Sequence, residues 1–163
     1  MKSFYKTLLA IYLLALLWLV LFKFSFEFSS VLLDHQTRSL NILPFVGSSQ
    51  KSFNEILYNI VVFIPFGLLL SVCFRRMSFW WKLACVFFFS LTVEILQFIL
   101  AIGVTDITDI ITNTLGGFIG LGLYKVAGKR LNTEKLDLCI AIAFIVLLIL
   151  FLLLRFFVFR VRY

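Results

Sequence analysis

Charge is scarce in this chain: 14% of its 163 residues are Asp, Glu, Lys or Arg, where soluble domains carry roughly 25%. That shortage excludes an ordinary soluble globular protein. Histidine occurs once, as His35, which excludes a multi-histidine metal centre. The three cysteines, Cys73, Cys85 and Cys139, lie inside apolar runs without CxxC spacing, so neither a zinc site nor a disulfide framework is expected, and they read as small hydrophobes. A glycine-rich phosphate loop, a GxSxG elbow and an HExxH pair are all missing. The sequence therefore offers no recognisable catalytic machine, and no metal or other cofactor is expected.

What is present is apolar. Hydrophobic residues make up 63% of the chain, and the mean hydropathy is +1.10. A membrane span takes about 20 apolar residues, so this length leaves room for five or six spans and no separate soluble domain. The expected fold class is all-α: a polytopic integral membrane helical bundle forming one domain over residues 1–163. The apolar runs place spans at about 8–22, 56–74, 79–101, 106–126 and 136–154, with one long polar connection over 23–54. The first run follows Lys2 and Lys6 as in a signal peptide, but the next residues, Lys23-Phe24-Ser25-Phe26-Glu27-Phe28, lack a small-x-small cleavage site. An uncleaved anchor is the expectation.

Fifteen Lys and Arg against eight Asp and Glu give a net charge of +7. Between apolar spans such residues set orientation and sit near anionic lipid, so membrane lipids, and not nucleic acid, are the expected partners. With the N-terminus in the cytoplasm, Lys2, Lys6, Arg75, Arg76, Lys82, Lys125, Lys129, Arg130 and Lys135 fall inside, while Lys23, Arg38, Lys51, Arg155, Arg160 and Arg162 fall outside. The bias sets a multi-pass arrangement with a cytoplasmic N-terminus and an external 23–54 loop. The tail arginines oppose it, a conflict that a non-crossing fifth segment would remove.

Ionisable groups within a span cost roughly 2.5–3.5 kcal/mol at a helix centre. Glu94, among Leu91, Val93, Ile95 and Leu96, shares a helical face with Gln97 three residues on. A functional site and plain interhelical glue both account for this pair. From Asp106, offsets of 3, 7, 10 and 14 put Asp109, Asn113, Gly116 and Gly120 on one face. Helix capping is an equal reading of Asp106 and Asp109. Asn113 lies deeper and needs a partner on another helix. Gly116, Gly117 and Gly120 are expected to let helices approach closely.

In the second span Asn59, Phe63, Gly67 and Ser71 recur every fourth residue, and Pro65 within it removes one helical hydrogen bond. A kink for packing is favoured over a broken helix lining a cavity. The long loop adds His35, Arg38 and Asn41 as candidate site residues, because connections of this length are often functional.

Three ordered strings, Asn59–Leu70 (NIVVFIPFGLLL), Glu94-Ile-Leu-Gln97-Phe98, and Gly103-Val-Thr-Asp106-Ile-Thr-Asp109-Ile-Ile-Thr-Asn113-Thr-Leu-Gly116-Gly117, resemble the VanZ-like family of bacterial membrane proteins. His35-Gln36, Arg38-Ser39-Leu40-Asn41, Pro44-Phe45 and the basic loop before a fifth apolar run extend the resemblance over nearly the whole chain. It implies a protein of the cell membrane of Gram-positive bacteria that gives low-level resistance to the lipid-tailed glycopeptide antibiotic teicoplanin, by no known reaction. Many members carry an Arg ahead of the aspartates, where this chain has Gly103, Val104 and Thr105.

The expected function is thus teicoplanin resistance through a polar mouth of Glu94, Gln97, Asp106, Asp109 and Asn113 that engages teicoplanin or a lipid-linked cell-wall component. An intramembrane enzyme using a raised-pKa carboxylate, a small proton-coupled transporter working as an oligomer, and a purely structural partner remain alternatives.

Overall fold

The computed structural model describes residues 2–22, 39–41, 53–100 and 104–161. In chain order these form α1 (Lys2–Phe22), β1 (Ser39–Asn41), α2 (Phe53–Cys73), α3 (Phe79–Leu100), β2 (Val104–Asp106), α4 (Ile107–Ala127) and α5 (Thr133–Val161). The chain divides into two compact units, Met1–Tyr124 and Lys125–Tyr163.

Four helical stretches, Ser3–Leu21, Phe53–Cys73, Phe79–Leu100 and Ile107–Ala127, are long and apolar enough to cross a membrane. At 1.5 Å per residue, 21 or 22 residues extend about 32 Å, matching a bilayer core of about 30 Å. The protein is a membrane-embedded helical bundle. The fifth apolar run, expected at 136–154, lies within α5, which extends helically past it to Val161. Likewise α1 begins at Lys2, ahead of its apolar run. No Pro or Gly interrupts either extension, so the backbone continues through the flanking charges.

Short polar side chains start the helices. Ser78 accepts from Trp81 N at 3.3 Å, and its carbonyl accepts from Lys82 N at 3.2 Å, opening α3. In the second unit Asn132 Oδ1 accepts from Glu134 N at 2.9 Å, an N-cap for α5. α2 runs unbroken through Pro65.

Within the first unit α1 is tied to its neighbours by polar contacts. The Tyr12 hydroxyl donates to the Val62 carbonyl of α2, Cys73 Sγ donates to Tyr5 O at 3.2 Å, and Gln97 Nε2 donates to Val20 O at 3.0 Å. The expected anchor helix is therefore an integral part of the bundle. Phe63, Phe66 and Phe89 form a mutually edge-on or tilted group with centroids 5.2–6.2 Å apart, filling the space between α2 and α3.

β1 and β2 add one element to the helices: a parallel pair in the register Ser39 with Val104, Leu40 with Thr105 and Asn41 with Asp106. It ties the long 23–54 connection to the entrance of α4, at the bundle end where α3 finishes and α2 and α4 begin.

Candidate functional site

The site is built at that end, on three helices. Asp106 precedes the first residue of α4, and its Oδ1 accepts from Thr108 N at 2.7 Å, which is an N-cap bond. In a capping box the acidic residue three positions on would reach back to the cap's own N–H. Here that N–H donates to Glu94 Oε2 from α3, at 3.0 Å. Glu94 thus takes a role open to Asp109. Asp109 Oδ1 instead accepts from Asn59 Nδ2 of α2 at 2.6 Å, a short bond that ties α2 to α4. Thr112 reinforces the turn, donating to Thr108 O at 2.9 Å and standing 3.5 Å from Asn59 Nδ2.

Two amides extend the cluster. Asn113 Nδ2 donates to Ser90 Oγ of α3 at 2.9 Å, and Gln97 Nε2 reaches α1 through Val20 O. Glu94, Gln97, Asp109 and Asn113 are each no more than 1% exposed, and Asp106 is buried as well. Gln97 is three residues and Glu94 six from the end of α3; Asn113 is six residues into α4 and Asn59 six into α2. All therefore lie within about 10 Å of one end of the bundle.

The polar face expected on α2 divides by depth. Asn59 joins the carboxylates, Gly67 joins a helix seam, and Ser71 Oγ donates to Gly67 O of its own helix at 3.1 Å, outside the cluster. In the seam, a Cβ at Gly116 or Gly120 would collide with the Ile60 or Ile64 carbonyl of α2, one at Gly67 with the Gly117 carbonyl of α4, and one at Gly117 would stand 2.5 Å from Val86 Cγ1 of α3. These glycines let α4 lie directly on its neighbours. His35 and Arg38 lie outside the described residues, and for Asn41 only the backbone, paired with Asp106, is described.

Ser90, Thr108 and Thr112 belong to the site but were not singled out from sequence. Ser90 stands one turn before Glu94, and Thr112 one turn after Thr108; the spacing alone would have placed both on the polar faces. The Val20 carbonyl carries no side-chain signal at all. Among the described residues no group of three His, Cys, Asp or Glu is arranged to hold a metal ion.

Residues 9–128, spanning α1 to α4 and thus the whole site, match the family described as VanZ/LLP1. The chain belongs to the VanZ/LLP1 family. It is also 51% identical over 154 residues to Protein VanZ of Enterococcus faecium, an alignment covering 94% of each chain. No solved structure matches it. The family match ends at the α4 terminus, so the Glu94, Gln97, Asp106, Asp109 and Asn113 cluster lies wholly within the part of the chain that matches the VanZ/LLP1 family.

Proposed function

We propose that this protein lowers the susceptibility of a Gram-positive cell to teicoplanin, acting from the cell membrane by engaging an amphipathic membrane or cell-surface molecule at the Glu94, Asp106 and Asp109 cluster. The observation that carries the reading is the convergence of α2, α3 and α4 on those carboxylates within about two helical turns of one bundle end. That depth lies beneath the headgroup region, where a polar head and an apolar tail are met together. Similarity to Protein VanZ along nearly the whole chain supports the phenotype.

The chemistry available is recognition. Neighbouring N–H groups donate to the carboxylates of the cluster, Asn59 Nδ2 to Asp109, Asp106 N to Glu94 and Thr108 N to Asp106, and hold the acids in position. An aliphatic tail would lie along exposed apolar faces such as Phe88, Ile95 and Ile99 of α3. The N-terminus is cytoplasmic in this reading, supported by the excess of Lys and Arg in the segments on its side.

The test is the teicoplanin and vancomycin susceptibility of a sensitive Gram-positive host with and without the expressed chain. A rise in the inhibitory concentration of teicoplanin, with vancomycin unchanged, is expected. Equal inhibitory concentrations with and without the protein would refute the function.

A further inference from the structure

The cluster holds more acceptors than the protein's described groups fill. Gln97 fixes the point. The Val20 carbonyl can only accept, so Gln97 has to turn its NH2 group toward α1, at 3.0 Å. Its Oε1 is thereby left inside the bundle, fully buried and without a hydrogen-bond donor among the described residues. One turn beyond Asp109, Asn113 Nδ2 stands 2.9 Å from Ser90 Oγ, and its Oδ1 is buried with no donor among the described residues. A buried carbonyl oxygen left this way costs about 1–3 kcal/mol, and native proteins rarely retain one without a bound partner.

The two oxygens flank the carboxylates, one turn from Glu94 along α3 and one turn from Asp109 along α4. What the site requires is therefore a donor. A phosphate or carboxylate brings further acceptors and like charge. A hydroxyl donates once and carries lone pairs of its own. A primary ammonium has three donors, no acceptor, and the charge that buried carboxylates favour.

We propose that the site binds the primary ammonium of an acyl-bearing amphiphile, with Gln97 Oε1 as the acceptor and the Glu94–Asp109 acids as counter-charge. This rests on the reading that the cluster engages an amphiphile and adds the chemistry of its head. Nothing covalent is required: the ammonium exchanges water for protein oxygens.

The full chain, purified in dodecyl maltoside, is titrated with dodecylamine, dodecyltrimethylammonium and dodecyl phosphate, following the thermal unfolding midpoint. The three share one tail, and their effects are compared at equal micelle-bound concentration, measured for each in protein-free dodecyl maltoside. Saturable stabilisation by dodecylamine, at about tenfold lower concentration than by the quaternary amine, is expected from the loss of charge-assisted hydrogen bonds in the latter. Equal effects of the two cations, or a dodecyl phosphate effect as strong as that of dodecylamine, would overturn the proposal. A Gln97→Leu variant should lose about tenfold in the dodecylamine response; the comparison among ligands on the unaltered chain stands whether or not that variant folds.

The source of the amine is read in nanodiscs. Competition with dodecylamine by phosphatidylethanolamine but not phosphatidylcholine assigns the site to a lipid headgroup, and dodecylamine binding with neither lipid competing assigns it to another amine amphiphile; competition by both lipids alike would overturn the proposal. Failure here is separable from failure of the function. Resistance that depends on Glu94 without selective ammonium binding removes only this inference, whereas selective binding without resistance removes the function.

Discussion

Gly120→Ala should open the seam that holds the site together. The added Cβ would lie 3.0 Å from Ile64 C and 3.1 Å from Leu68 N, and nearer still to Ile64 O, where ordinary contacts lie at about 3.5–4.0 Å. Those atoms are backbone, and no side chain can rotate away. α2 and α4 must part by about 0.5–1 Å, a gap that forfeits a quarter to a half of each dispersion contact across it, for a cost of about 1–3 kcal/mol. The same separation stretches the 2.6 Å Asn59–Asp109 bond toward the limit of useful hydrogen bonding. Gly116→Ala, facing Ile60 C at 3.0 Å and Phe63 Cβ at 2.9 Å, should behave alike. Gly122 is the control: nothing lies within 4 Å of its would-be Cβ, so Gly122→Ala should be neutral or gain up to about 1 kcal/mol of helix propensity. Gly117→Ala differs in kind, because it meets the Val86 side chain, and Val86→Ala should partly rescue it while leaving Gly120→Ala unrescued. Unfolding by SDS in mixed micelles, followed by tryptophan fluorescence, measures the single and double variants alike. If Gly120→Ala and Gly116→Ala match Gly122→Ala, the close-packed seam is refuted.

Other expectations follow from single bonds. Asn59→Ala and Asp109→Ala should couple by about 1–3 kcal/mol in a double-mutant cycle on the same unfolding assay; additive losses would mean the two side chains do not meet. Glu94→Gln keeps an acceptor for Asp106 N and should retain near-normal stability, whereas Glu94→Leu orphans that N–H and should cost about 1–3 kcal/mol; equal stabilities would contradict the capping role assigned to Glu94. Tyr12→Phe should cost roughly 0.6–1.5 kcal/mol through its bond to Val62, and no change would detach α1 from α2. A reporter protein active only outside the cell, fused to the N-terminus, should be inactive, and activity there would reverse the proposed orientation.

Much of this was legible in the sequence because membranes make patterns costly to violate. The four spans appear as apolar runs of bilayer length, and their ends differ from the helical termini by a few residues, since polarity marks where a span leaves lipid while backbone hydrogen bonding decides where a helix stops. The helical offsets from Asp106 found Asp109, Asn113, Gly116 and Gly120, all buried along α4. Partners between helices were not legible. That Asn59 meets Asp109 depends on how α2 and α4 cross, and that crossing is set by glycines whose neighbours are backbone carbonyls with no sequence signature. The capping and site readings of Asp106 also proved compatible, because the cap bond uses Oδ1 and Glu94 takes the N–H. The pairing of residues 39–41 with 104–106 spans 65 positions of sequence and is too short to leave a periodic trace.

Whether the buried cluster confers the phenotype is read from Glu94→Gln in a sensitive Gram-positive host at matched membrane abundance. The substitution replaces the carboxyl by an amide and preserves an acceptor for Asp106 N. Loss of teicoplanin protection with abundance and unfolding unchanged is the predicted result; full protection by the amide variant would show that the Glu94 carboxyl is not required.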